Sequence, residues 1–273
     1  MKKVGILYHP KLPRAKAIAE ELSHALESRK AAFWICSAWE QDSARRLLAG
    51  TDLLVALGGD GTILRTARVA LPEATPILGA RLGRVGFLCE VEPEEVVEKT
   101  GAFLDGQGWV EDRMMLGAIL GTEGEERHAL NDVVVGRGQR PRMIHVRACI
   151  DGYPFTTFAA DAVILATPTG STGYSMAAGG PLVHPDVQGI VMTPVAAHLS
   201  LSNPLVLPAT VTVELQVLAD HQAILTIDGQ TDIPVRNGDT VRVRRSDRVT
   251  RFLRFGPSSH YYGVLSQRLK YKE

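Results

Sequence analysis

An aspartate stands inside a glycine turn at Gly58-Gly59-Asp60-Gly61-Thr62. Glycines lack a Cβ, so backbone N–H groups here can approach a phosphate closely at the positive end of a helix. An acid in such a cradle would repel phosphate unless it holds a metal or accepts a proton from an attacking hydroxyl. The other reading is that Asp60 only caps the helix on a tight turn. For these five residues alone the two readings stand level.

Two further stretches carry polar side chains where a fold alone would not ask for them. Asn131-Asp132 interrupts the apolar run from Ala129 to Val135. Burying an amide and a carboxylate without partners costs several kcal/mol, so the pair either closes a turn or faces a polar ligand. An amide suits an adenine edge and a carboxylate a ribose diol, although a strand-end Asn-Asp turn is the commoner explanation. From Asp161 a strand runs into Thr167-Pro168-Thr169-Gly170-Ser171-Thr172-Gly173-Tyr174-Ser175, then Gly179-Gly180-Pro181. The hydroxyls at 167, 169, 171, 172 and 175 exceed what a turn requires. Gly170 and Gly173 admit a flat ligand, and Tyr174 could stack on a base or nicotinamide ring. Helix capping by Ser171 or Thr172 is the alternative; length and composition together favour binding.

These groups need a scaffold. Residues 53–57 are an unbroken aliphatic run before the glycines, which reads as a strand buried on both faces, as in a parallel sheet. Strands at 3–8, 32–36 and 77–79 alternate with helices from Pro13, over 42–48, after Gly61 and from near Pro93. That order gives βαβ units, whose ligands sit beyond the carboxyl ends of the strands. From Trp109 the texture changes to short β-rich segments at 110–120, 127–136, 142–150, 162–166, 189–193, 205–218, 222–228 and 240–245. These argue for a mostly antiparallel two-sheet domain. Tyr262, Leu265 and Leu269 fall on one face of a last helix, with Arg268, Lys270 and Lys272 at its end.

The expected architecture is an N-terminal open parallel α/β sheet domain, 1–105 with 246–273, and a C-terminal β-sandwich-like domain, 106–245. The last helix is expected to return to the first domain.

Composition narrows the classes. Thirty basic and thirty acidic side chains give a formal net charge of zero, so there is no electrostatic case for nucleic acid or an anionic membrane. No apolar run approaches a membrane span or a signal sequence. Cys36, Cys89 and Cys149 are scattered, which suits reduced thiols in a cytoplasmic protein and argues against structural zinc. There is no GxxxxGK[ST], which excludes a P-loop, and no GxGxxG after a strand, which argues against an ordinary Rossmann site.

Taken together, the motifs resemble the NAD kinases, which phosphorylate the adenosine-ribose 2′-hydroxyl of NAD using ATP or polyphosphate. The resemblance rests on Gly58 to Thr62, Leu82-Gly83 through Gly86-Phe87-Leu88, Asn131-Asp132, Thr167 to Ser175 with Gly179-Gly180-Pro181, and Ile227-Asp228-Gly229-Gln230. Gly-Gly-Asp-Gly-Thr alone is also similar to the loops of phosphofructokinases and of diacylglycerol or sphingosine kinases. What the resemblance implies is as follows. Asp60 is the catalytic base, Gly61 lies against substrate and Arg65 is a basic group near the site. Gly58, Gly59 and Thr62 hold the phosphate donor, with Mg2+ accompanying it. Asn131 and Asp132 hold the adenosine half of NAD, Asp132 standing where the family usually has Glu. Asp161 is on the nicotinamide side. Thr169, Thr172, Gly173, Tyr174 and Ser175 line the dinucleotide pocket, Gly173 replacing a common Ala. Gln230, Arg142 and Ala159 are further contacts. The segment 198–205 lacks the family's Arg and is left out of the site. The resemblance also implies a homodimer or homotetramer.

Two other functions compete. A lipid kinase sharing the glycine turn would need an apolar acyl channel, which Asn131 and the hydroxyl loop do not suit. A catalytically silent NAD(H)-binding sensor is opposed by an intact Asp60 and Thr62.

Overall fold

The structure, a computed structural model, describes residues 2–83, 86–138, 142–198, 200–219 and 221–269. The chain divides into two compact units, residues 1–112 with 250–273 and residues 113–249.

The first unit alternates strand and helix: β1 (Lys3–Tyr8), α1 (Pro13–Ser28), β2 (Ala32–Ser37), α2 (Gln41–Leu47), β3 (Leu53–Gly58), α3 (Asp60–Ala70) and β4 (Ile77–Arg81). A 3-10 turn at Pro93–Glu95 leads into α4 (Val96–Leu104). Proline opens α1 at its first turn, where a missing N–H costs nothing. The strands lie parallel in the order β2-β1-β3-β4. The chain therefore reverses direction across the sheet between β1 and β3, the place where ligands of open α/β sheets bind. Leu53 to Leu57 are fully buried. Leu53, Val55 and Leu57 share one cluster with Val4, Ile6 and the Ile18, Leu22 and Leu26 stripe of α1.

The second unit is built from strands: β5 (Trp109–Leu120, which starts before the unit boundary), β6 (Arg127–Ala129), β7 (Asp132–Arg137), β8 (Ile144–Ile150), β9 (Tyr153–Ala160) and β10 (Ala162–Ala166). A 3-10 turn at Gly170–Thr172 and the one-turn helix α5 (Tyr174–Ala177) follow. The remainder is β11 (Gly189–Val195), β12 (Leu205–Pro208), β13 (Val213–Leu218), β14 (Ala223–Ile227), β15 (Thr231–Val235) and β16 (Thr240–Arg254). One antiparallel set runs β16-β13-β8-β9; the other runs β12-β11-β10-β7-β14-β15. Strand β13 alternates buried and half-buried residues, and its inward Val213, Leu215 and Val217 join Val163, Leu165, Met192 and Leu225 of the second sheet in a single core. Central β10 is buried on both faces, Ile164 and Ala166 packing with Val183 and Val191 on the side away from that core.

The last residues of β16 and helix α6 (His260–Leu269) fall with the first unit, where Phe252 pairs in parallel with Ile77.

Several elements differ from the sequence reading. The single segment expected over 127–136 breaks at Asn131, and 205–218 breaks into β12 and β13. Strands β9 and β15 were not expected, and β16 extends to Arg254. Tyr262 is 60% exposed rather than inward; the face of α6 that turns in carries Tyr261, Val264 and Leu265. Lys270 and Lys272, and the side chains of Arg268 and Leu269, lie outside the described residues, as do Arg84 and Val85 within the expected glycine loop.

Leu57 is the last residue of β3 before the glycine turn and is fully buried. Leu57→Ala is expected to cost about 2–5 kcal/mol through lost transfer energy and an unfilled cavity, measured as a lowered urea midpoint. A midpoint unchanged from the parent would contradict the buried placement of β3.

Candidate active site

Asp60 is the first residue of α3, following Gly59, whose extended backbone caps the helix without a side-chain bond. Asp60 does not serve its own helix. Its carboxylate accepts the N–H of Phe87 at 2.9 Å and of Leu88 at 3.2 Å. A Cβ on Gly86 would collide with the Asp60 carboxylate, so a glycine at 86 is what lets the acid lie against this backbone. The parallel pairing of β3 with β4 sets Gly58 beside Arg81 and so brings the two loops together.

The other residues expected at this turn separate into distinct roles. Gly58 is buried against Thr62, whose side chain a Cβ at 58 would strike. Thr62 itself is 1% exposed, and its Oγ1 is buried with no partner among the described residues. The hydroxyl expected to meet the donor is thus packed inward in this structure. Gly59 and Gly61 are different. A Cβ on either would touch nothing within 4 Å. Arg65 is drawn aside: its guanidinium lies 4.4 Å from the ring centre of Trp39, which also meets the His9 ring at 4.4 Å.

In the second unit the organising group is Asp228, which the sequence reading quoted in a motif but did not place in the site. It is 6% exposed and sits at φ 52° in the turn between β14 and β15. Its carboxylate receives three backbone N–H groups, from Leu130 (3.0 Å), Asn131 (2.7 Å) and Asp132 (3.2 Å). Three converging N–H bonds to one carboxylate hold the break between β6 and β7 in place. The available signal was an Asp-Gly pair ending an apolar run.

The backbone of Asn131 is therefore fully used, donating to Asp228 and accepting from Thr167 N. Its side-chain amide makes no hydrogen bond among the described residues and faces Gly173, where a Cβ would lie 3.6 Å from Nδ2 and 3.8 Å from an Asp132 oxygen. Gly170 packs directly on the Asn131 carbonyl, leaving no room for a side chain. Asp132 is 5% exposed. Burial, reinforced by the Asp228 charge, pushes its carboxyl up to about 7.

The hydroxyls of the following loop are used by the loop itself. Thr167 Oγ1 bonds Leu130 O at 2.6 Å and receives Gly170 N at 2.9 Å. Ser171 Oγ bonds Pro168 O at 2.6 Å and receives Val183 N at 3.0 Å. Thr172 bonds Thr169 O (3.0 Å), Ser175 bonds Thr193 (2.9 Å), and Thr169 accepts from buried Arg113 at 3.2 Å. All of these residues but Thr172 are buried. Each of these hydroxyls thus has a scaffolding bond within the protein, where the sequence reading took their density as a sign of ligand contact. Thr193 and Arg113 gave no sequence signal, each lying within an otherwise apolar or mixed strand.

Tyr174, 46% exposed, lines a cavity of about 310 Å³ with Asp161, Arg137, Thr226 and Asp232. Asp161 is paired to Arg137 at 2.9 Å, another residue the sequence reading passed over. The remaining expected contacts lie apart from this cavity. Arg142 is exposed, its carbonyl meeting His221 Nε2. Ala159, on β9, bonds through its backbone to Ser200 Oγ and His198 N; the segment left out of the site thus packs on a residue placed in it. Gln230 Oε1 is buried with no partner among the described residues.

Residues 9–107 match the ATP-NAD kinase N-terminal domain and residues 130–255 the ATP-NAD kinase C-terminal domain. The chain belongs to the NAD kinase family. It is 43% identical to the NAD kinase of Dehalococcoides mccartyi, covering 98% of this chain and 96% of that protein. Against the NAD kinase of Chloroflexus aggregans the identity is 39%, with 99% of both covered. Among solved structures, a yeast NADH kinase complexed with NADH superposes with TM-score 0.86 at 26% identity, over 100% of this chain and 89% of that one. An NAD kinase from Archaeoglobus fulgidus in complex with ATP gives 0.78, also at 26% identity and over 98% of each chain. As a member of the NAD kinase family the chain is an enzyme, and these matches favour neither a lipid kinase nor a silent sensor.

Asp132 couples stability to pH. The native state keeps a proton that the unfolded chain releases near the ordinary aspartate value, so stability falls as pH rises towards about 7. Asp132→Asn cannot ionise. Its Tm relative to the parent is expected to be higher at pH 8 than at pH 5; a pH-independent difference would refute the buried acid.

Proposed function

We propose that the chain transfers the γ-phosphoryl group of ATP to the 2′-hydroxyl of the adenosine ribose of NAD, giving NADP. Membership of the NAD kinase family supports the reaction class, and the NADH and ATP complexes of its structural neighbours support these substrates. The observation that carries the mechanism is the Asp60 carboxylate, oriented by Phe87 and Leu88 N–H beside a glycine turn. Those two bonds leave lone pairs for a hydroxyl. A carboxylate is a weak base towards an alcohol, so Asp60 orients the hydroxyl first and takes its proton late, as the O–P bond forms.

Gly59 and Gly61 suit the donor. Neither has positive φ, and neither is needed for packing. Their missing side chains fit close approach of phosphate to the N-terminus of α3. In the second unit the groups that the scaffold leaves free, among the described residues, include the Asn131 amide, the Asp132 carboxyl and Tyr174. An amide, an acid half-protonated near neutral pH and an exposed phenol suit an adenosine and its ribose.

The family implies Mg2+. Among the described residues no three His, Cys, Asp or Glu side chains converge on a metal position. A cation carried mainly by the donor phosphates needs one or two protein carboxylates, and Asp60 is the carboxylate at the turn. Bound there, the ion would neutralise phosphate charge. The three cysteines are free thiols, in keeping with a cytoplasmic setting, and a homodimer or homotetramer belongs to the same reading. No helix among the described residues is long and apolar enough to cross a membrane.

Incubation with NAD and Mg-ATP, followed by a coupled assay for NADP, tests the reaction. Asp60→Asn is expected to lower kcat by about 10²–10⁴ while KM for NAD stays within about tenfold; unchanged turnover removes Asp60 from the chemistry. Asn131→Ala should instead raise KM for NAD about five- to tenfold, the value of one lost hydrogen bond, with kcat little altered. A KM equal to the parent's would remove Asn131 from the dinucleotide site.

A further inference from the structure

A heavily buried ion network of the first unit is built on one arginine that the proposed chemistry does not use. Arg254, the last residue of β16, donates through Nε to Glu111 at 2.7 Å and through Nη1 to Glu90 at 3.0 Å. The three side chains are 9%, 14% and 8% exposed. Arg254 Nη1 also reaches the Leu88 carbonyl at 3.4 Å, and the guanidinium lies 4.9 Å from the Phe252 ring centre. The second oxygen of Glu90 accepts the N–H groups of Phe255 (2.9 Å) and Gly256 (3.2 Å). Residues 88–90 are thereby fastened to the end of β16, by Arg254 Nη1 on the Leu88 carbonyl and Glu90 and by the N–H groups of Phe255 and Gly256 on Glu90.

Stability is a poor explanation for such a construction, since buried ion networks are often matched by well-packed apolar residues. Its geometry offers a better one. Leu88 receives Arg254 on its carbonyl and, through its N–H, holds Asp60 Oδ1 at 3.2 Å. Cys89, between the two clamped residues, is half-buried, and burial, then the Asp60 charge, pushes its thiol up to about 12.

We propose that Arg254 is a positioning residue for phosphoryl transfer, fixing through Glu90 and the Leu88 carbonyl the peptide groups that aim the Asp60 carboxylate. The proposal rests on the reading of Asp60 as the group that meets the hydroxyl. Misplacing a reacting group by about 1 Å can cost about a hundredfold in rate without loss of binding.

Arg254→Lys keeps the charge but loses the planar fork. In the purified full chain it is expected to lower kcat at least about tenfold while KM for NAD and for ATP stays within about threefold. A merely structural role would not predict the second result: in an Asp60→Asn background the same substitution should cost less than about twofold, because the group it aims is already gone. Should Arg254→Lys fail to fold, Glu90→Gln keeps the side-chain shape, removes the charge facing Arg254, and is read by the same two comparisons. A parental kcat for the single variant, or an equal loss in both backgrounds, overturns the proposal. Full turnover by Asp60→Asn alone would instead overturn the reading of Asp60, and this proposal with it.

Discussion

A single carboxylate, held by a backbone it does not belong to, governs the first unit. Asp60 begins a helix whose positive end favours an acid, yet its oxygens bond to Phe87 and Leu88 rather than to that helix. Such an arrangement needs β3 and β4 to be parallel neighbours, so that the loops at their carboxyl ends meet. It also needs a residue without a side chain at 86, because the carboxylate occupies that space. The glycine turn, the loop after β4 and the far end of β16 are consequently parts of one construction. Each supplies something the acid alone lacks: a helix terminus, two aimed donors, and a rigid support for those donors.

The second unit follows a different economy, in which most polar groups are spent inside. Asp228 collects three N–H groups and fixes the strand break at Asn131. The threonine and serine hydroxyls from 167 to 175 tie their loop to Leu130, to Val183 and to Thr193. Satisfying buried polar groups internally is what permits so polar a loop to be buried at all. The consequence is that few groups are left over; among the described residues they include the Asn131 amide, the Asp132 carboxyl, Tyr174 and Gln230 Oε1. Burial beside Asp228 makes Asp132 a half-protonated acid near neutral pH, able to donate as well as accept.

How far the fold could be read from the chain depended on where each strand lies. The run from Leu53 to Leu57 is fully buried, so its composition alone announces a central strand. Strands β9 and β15 lie at sheet edges, where exposed Tyr153, Pro154, Asp232 and Pro234 are tolerated and blur the apolar signal. The far part of β16 was concealed by Arg244, Arg245, Asp247 and Arg248, around which the alternation breaks: buried residues fall at 241 and 243, then at 246, 250 and 252–254. Breaks at Asn131 and after Pro208 are set by tertiary hydrogen bonds and by the return between two strands, neither of which has a local period.

The sequence by itself determined which chemistry the chain carries. A glycine turn with an acid, an Asn-Asp pair and a hydroxyl loop occur in one order, and residue type and spacing are local properties that survive in one dimension. It also determined the division into an alternating part and a β-rich part, because each has its own periodicity. Only the tertiary structure decided which of the named side chains are free. Thr62, Thr169 and Ser175 share the chemistry of a binding group but are turned inward, and Arg65 is held over Trp39. Asp228 and Arg254 look ordinary in the sequence and become supports through partners about a hundred residues or more away, at Asn131 and Glu90. Hydrogen-bond satisfaction is settled by neighbours in space, and that is the information a linear chain does not display.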